Sequence, residues 1–231
     1  MNPLVITIDG PAAAGKSTTA RAVARHLGCL YLDSGAMYRA FGLKVERLGL
    51  SGALDERLGD LPRIAALARA TTIGFAGPKD DPTVVLDGEP LRDEIRTPRA
   101  SELASRVATI PVVRERMTEL QRALAAREPL VAEGRDMGTV LFPEAPVKIF
   151  LDASVEERAR RRHRELVARG LDAELDEVRA EIERRDRRDR ERRVAPLRPA
   201  PDAIVVDTTG MSVDEQVAAV LKAVEEKIGP T

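Results

Sequence analysis

The sequence predicts an α/β fold: a five-stranded parallel sheet with helices on both faces, plus an inserted small antiparallel subdomain and a helical lid. Three observations predict it. Short apolar runs at 4–8, 30–33, 130–133, 147–152 and 203–207 alternate with stretches of helical period. Between the second and third runs, short extended pieces flank Asp87-Gly88, a hairpin signal foreign to a purely alternating chain. Between the fourth and fifth, arginines become dense and aliphatic residues scarce.

The first run leads into Gly10-Pro11-Ala12-Ala13-Ala14-Gly15-Lys16-Ser17-Thr18, which matches G-x-x-x-x-G-K-[ST]. A helical pattern follows, with Ala20, Val23, Ala24 and Leu27 on one face and Gly28 as its stop. Strand, glycine loop and helix form the context in which this motif binds a nucleoside triphosphate, as in the P-loop NTPase fold. Glycines let the loop aim successive N–H groups at one anion beside the positive end of the helix dipole. Lys16 can reach the β- and γ-phosphates, and the Ser17 hydroxyl is placed to ligate Mg2+.

The second run ends in Asp33-Ser34-Gly35, and a helix from about Ala36 carries Tyr38 and Arg39. Ligands of open α/β sheets sit beyond the carboxyl ends of the strands, so these residues share a rim with the glycine loop. Residues 50–70 read as helix. Strand-like pieces at 71–75, 83–86 and 89–91 then mark the insertion, and residues 96–126 return to helix, with Pro98 and Pro111 near two starts. The third parallel strand ends in Glu133-Gly134-Arg135-Asp136. The fourth is followed by Ser154 as a helix cap, and Ser212-Val213-Asp214-Glu215 opens the last helix as a capping box.

With 231 residues, 43% of them hydrophobic, the chain can bury a full core. It reads as one domain: core about 1–50, 127–155 and 194–231, insertion about 51–126, lid about 156–193. A net charge of −1 gives no general pull toward nucleic acid or membrane. Only six of the 37 basic side chains are lysine, which suits bidentate grip on phosphate and equally suits GC-rich coding. A single cysteine, Cys29, excludes an internal disulfide and a cysteine metal site. No apolar run approaches 18 residues and the N-terminus lacks a basic leader, so a cytoplasmic protein is expected.

The arginine segment has three readings. Residues 181–193 hold seven arginines and five carboxylates, with Ile182 the only aliphatic, a composition that can hardly pack into a core. It can be a solvated hairpin, a nucleic-acid-binding helix, or a lid closing over polyphosphate. The glycine loop favours the lid. Arg39, Arg114 and Arg135 supply a second set of anion-binding groups on the same rim, which points to transfer onto a bound acceptor. A GTPase switch would carry an Asn-Lys-x-Asp base-reading motif, which this sequence lacks. Kinases of other small acceptors, such as shikimate or gluconate, and an RNA-binding module remain alternatives.

At the motif level the chain resembles the bacterial cytidylate kinases. The resemblance rests on Gly-Pro-Ala-Ala-Ala-Gly-Lys-Ser, Leu-Asp-Ser-Gly-Ala-Met-Tyr-Arg, Glu-Gly-Arg-Asp-Met-Gly-Thr-Val-Leu-Phe-Pro, Lys-Ile-Phe-Leu-Asp-Ala and Arg-Asp-x-x-Asp-x-x-Arg followed by Ala-Pro-Leu, in family order. It implies phosphoryl transfer from MgATP to CMP or dCMP. Nothing in the sequence suggests an obligate dimer, so a monomer with no nucleic acid or membrane partner is expected. Gly10 to Thr18 would hold the ATP phosphates. Ser34, Arg39 and Arg135 would grip the CMP phosphate, with Tyr38 beside them, while Ser105, Arg114 and Asp136 would read the cytosine. Arg185 and Asp189 match residues near the acceptor's sugar and phosphate, and Arg192 matches a lid arginine. Lys16 and Arg185 would act on the transferring group; helix position alone adds Arg158 and Arg162 to them. Glu133 stands where some relatives have Asp, leaving Asp33 or Glu133 to assist Ser17 at the metal through water.

Overall fold

The computed structural model describes residues 3–54 and 61–229. Its central sheet takes β1 (Val5–Asp9), β2 (Leu30–Asp33), β6 (Leu130–Gly134), β7 (Val147–Asp152) and β8 (Ile204–Asp207) in the order β2-β6-β1-β7-β8, every pair parallel. Register places Asp9 opposite Gly134 and Asp33 opposite Glu133, so the sequence-predicted rim is one continuous edge.

Nearly continuous apolar strands need cover on both faces. On one face Ile6, Ile8, Val131, Ile149 and Leu151 pack under α1 (Lys16–Leu27) and α8 (Val213–Ile228). On the other, Leu30, Leu32, Leu130 and Ala132 meet Ala125, Met137 and Leu141. Each fully buried aliphatic side chain contributes roughly 1.5–3 kcal/mol by leaving water. Ser212 and Glu215 form the expected capping box on α8. α2 (Ser34–Arg47) starts two residues before the expected Ala36, with Asp33 as its cap accepting from the Ala36 N–H at 2.7 Å.

The insertion is a three-stranded antiparallel sheet, β3 (Ile73–Ala76), β4 (Thr83–Leu86) and β5 (Glu89–Leu91). Asp87 and Gly88 both take positive φ, 49° and 87°, the twist that a two-residue hairpin turn requires. Residues 51–54 form a 3-10 turn and α3 covers Leu61–Ala70; residues 55–60 of the expected 50–70 helix lie outside the described residues. The helical stretch at 96–126 is two helices, α4 (Pro98–Val107) and α5 (Pro111–Ala125), each with proline in its first turn. A boundary at residue 51 misses one packing fact. Met37, Phe41 and Val45 of α2 pack with Ile64, Val84, Leu86, Val113 and Met117, so α2 supplies the floor of the insertion's own core.

The arginine segment folds as α6 (Val155–Ala168) and α7 (Leu175–Glu191), with Gly170 between them at φ 72°. It packs better than its composition predicts. Ala159, Leu166, Val178 and Ile182 form a small apolar cluster, and Asp186 and Asp189 are buried on the inner face of α7. Carboxylates and guanidiniums go under together as pairs, which is how so charged a hairpin lies against the rim.

Candidate active site

β1 delivers the chain into the glycine loop, and the loop leaves no room for side chains. A Cβ on Gly10 would lie 2.0 Å from the Leu151 carbonyl oxygen, and one on Gly15 would lie 2.3 Å from Gln216 Oε1. Ala13 itself sits at φ 60°. Lys16 opens α1 and curls back, its Nζ donating to the Pro11 carbonyl at 2.6 Å. Burial, with Arg135 nearby, pushes the Lys16 ammonium down to about 7. A buried cation resting on a backbone carbonyl is ready to exchange that weak partner for a phosphate.

Next to it, the Ser17 hydroxyl donates to Glu133 Oε1 at 2.7 Å, and Tyr31 donates to the same oxygen at 2.6 Å. Glu133 Oε2 is buried and has no hydrogen-bond partner. Burial, with Asp33 close by, raises the Glu133 carboxyl above its ordinary range. An orphaned carboxylate oxygen beside a serine hydroxyl fits Mg2+, which needs few protein ligands because waters and phosphates complete its shell.

The cleft that opens from this point holds about 950 Å³ and is shared by core, insertion and lid. Arg39, paired to Asp33 at 2.8 Å, Arg135, paired to Asp189 at 2.9 Å, Arg162, paired to Glu165 at 2.8 Å, and Arg185 all line it. Nε of Arg39 and of Arg185 is buried without an acceptor. Burial, with Arg135 beside it, lowers Arg185 to about 10. So much buried positive charge with unmet donors is a site built for an anion. The Ser34 hydroxyl is held by the Glu133 carbonyl at 2.6 Å, at the same edge.

Farther in, Asp136 sits between two guanidiniums: Arg114 on one oxygen, Arg192 on the other at 3.1 Å. Tyr38 lies beside this group, its phenol pushed up to about 12 by burial, and Ser105 also lines the cleft. The structure thus brings together Lys16, Ser17, Ser34, Tyr38, Arg39, Ser105, Arg114, Arg135, Asp136, Arg162, Arg185, Asp189 and Arg192. Arg158 differs. It is 1% exposed, and its guanidinium is held by Asp186 at 2.7 Å and by the carbonyls of Ala153 and Ala12 at 2.9 and 3.2 Å. That is a brace between α6, α7 and the glycine loop; facing the cleft was expected from helix position alone, and packing assigns the inward side otherwise.

Some site residues carry no local motif signal. Asp9, at the end of β1, accepts from the N–H groups of Met137 and Gly138 at 2.9 and 2.8 Å. It caps the π-turn Met137–Leu141 and so fixes the loop that presents Arg135 and Asp136. Gln216 and Thr208 support the glycine loop from the far end of the chain: Thr19 donates to Gln216, and Thr208 donates to the Ala14 carbonyl. A lone acid at a strand end was the only signal for Asp9.

A parallel sheet with a glycine loop over its central strand, a second anion subsite and an arginine lid define a P-loop kinase. Comparison with known proteins narrows this class. The cytidylate kinase family model matches residues 6–226. A cytidylate kinase of Pasteurella multocida (strain Pm70) is 44% identical over 227 residues, 98% of this chain and 97% of its own length. One from Carboxydothermus hydrogenoformans is 47% identical over 222 residues, covering 96% and 97%. Among solved structures, TT1252 from Thermus thermophilus matches the fold with TM-score 0.50 at 23% identity, covering 99% of both chains. The chain belongs to the cytidylate kinase family, phosphotransferases that use ATP to convert CMP to CDP.

Proposed function

We propose that this protein transfers the γ-phosphoryl of MgATP to CMP and dCMP, working as a cytoplasmic monomer. The observation that carries the acceptor is Asp136, buried between Arg114 and Arg192 at the end of the cleft. A carboxylate paired with two guanidiniums presents only acceptor oxygens. Cytosine offers an amino group to such an acceptor; uracil offers a carbonyl oxygen.

In this mechanism the backbone of residues 10–18 cradles the triphosphate, and Lys16 exchanges the Pro11 carbonyl for the β- and γ-phosphates. Ser17 and Glu133 would hold Mg2+, with Asp33 nearby, and the cation would supply neutralisation of phosphate charge. Ser34, Arg39 and Arg135 hold the acceptor phosphate in line with the donor. Arg162 and Arg185 meet the charge that builds on the transferring group, and Asp189 orients Arg135 from the lid. Little covalent chemistry is asked of the protein. Alignment, charge and exclusion of water carry the reaction.

Among the described residues no helix is long and apolar enough to cross a membrane. Most cleft and lid arginines are tied to carboxylates, which argues for a lid over the RNA-binding alternative. Coupled ADP-release assays on CMP, dCMP, UMP, AMP, shikimate and gluconate test the reading. CMP and dCMP should give the highest kcat/KM. A higher value for any other acceptor would overturn it.

A further inference from the structure

From the lid, Arg188 reaches Ser105, a residue that lines the cleft, and no family motif points to it. It lies one turn before Arg192 on α7, and its guanidinium donates to the Ser105 hydroxyl at 3.0 Å. Ser105 is buried on α4, whereas Arg188 is exposed. The contact differs in kind from those of its neighbours. Arg135, Arg158 and Arg192 are tied to carboxylates; Arg188 reaches a neutral hydroxyl.

We propose that Arg188 is a positioning residue that fixes the hydrogen-bond polarity of Ser105 and thereby selects cytosine over uracil. The inference rests on the reading that Ser105 faces the base. A guanidinium can only donate, so Ser105 accepts from it. With a lone pair engaged by a cation, the hydroxyl hydrogen is turned away from Arg188 and offered to the cleft. Ring nitrogen N3 of cytosine is an acceptor and pairs with that hydrogen. In uracil the same nitrogen carries its own hydrogen, so two donors meet. A Ser105 hydroxyl released from Arg188 can rotate and accept from uracil instead. Asp136 reads the exocyclic position and Ser105 reads the ring edge, so both tests of the base depend on lid arginines. Selection is therefore complete only when α7 lies over the insertion.

Steady-state kinetics with CMP and UMP on four variants test this: Arg188→Met, Arg188→Lys, Ser105→Ala and the double variant Arg188→Met/Ser105→Ala. Arg188→Met should lower the CMP:UMP ratio of kcat/KM by ~10-fold and leave the KM for ATP unchanged. Arg188→Lys keeps a donor and should keep most of the ratio. Ser105→Ala should lower the ratio similarly, and the double variant should fall no further than Ser105→Ala by more than about twofold. A generally weakened lid would slow both substrates alike and leave the ratio standing. An unchanged ratio in Arg188→Met, beside a lowered one in Ser105→Ala, overturns the role of Arg188 and leaves the base reading intact. An unchanged ratio in Ser105→Ala overturns both. Additive losses in the double variant would show that Arg188 acts other than through Ser105, and that too overturns it.

Discussion

Lys16 shows how much a single side chain does here and how readily it is recognised. Its place in the motif follows from spacing alone, and the structure adds its weak resting partner, the Pro11 carbonyl. Lys16→Met should leave a folded protein with far less than a tenth of wild-type kcat, a barrier increase above ~1.4 kcal/mol. Retention of more than a tenth contradicts the role. Asp9 is the opposite case, since its partners lie 128 and 129 residues away and no local pattern announces them. Burial outweighs its two N–H bonds and raises its carboxyl from the ordinary 3.8 to about 6. The folded state thus holds this proton more tightly than the unfolded chain. Its contribution to stability is fully present below about pH 4 and is lost as pH rises toward 6, by up to about 3 kcal/mol. Thermal melts of wild type and Asp9→Asn across that window should show a shallower fall for the variant. Equal slopes would remove Asp9 as the titrating group.

Among elements, the parallel strands and the hairpin were the most legible parts of the chain. Apolar runs of strand length bounded by turn residues leave few alternatives, and Asp87-Gly88 meets the demand for two positive φ values. The lid was less legible. Its arginines were visible, yet which of them face the cleft depends on pairing across α6 and α7: Asp186 claims Arg158, whereas Arg162 and Arg185 remain at the cleft. Helical position cannot decide between two inward-facing arginines when a buried carboxylate on a neighbouring helix takes one. Among the described residues, the cluster of Ala159, Leu166, Val178 and Ile182 joins α6 to α7, with Ala13 of the glycine loop packed against it, so little apolar surface holds this hairpin to the core. Its docking should therefore strengthen when nucleotide phosphates satisfy Arg185 and its neighbours. Hydrogen exchange over residues 155–191 should slow when ATP and CMP are added together. Unaltered exchange with both bound contradicts closure.

Across the whole molecule, three units that the sequence separates become one site. The rim of the sheet gives Asp136, α5 of the insertion gives Arg114, and the end of the lid gives Arg192; all three meet at one carboxylate. The order of elements and the rim were readable from strand ends, because a parallel sheet places all its carboxyl-terminal loops together. Less readable was the packing of α2 into the insertion, because its apolar face could serve either core. This convergence makes Asp136 the place to test the account. The decisive measurement is kcat/KM for CMP and UMP in wild type and Asp136→Asn. Asn keeps the shape but can turn its NH2 toward the uracil carbonyl. The account predicts that CMP suffers far more than UMP, so that the CMP:UMP ratio shrinks at least ~10-fold, about 1.4 kcal/mol. Equal losses on both substrates, with the ratio unchanged, would show that Asp136 does not read the base.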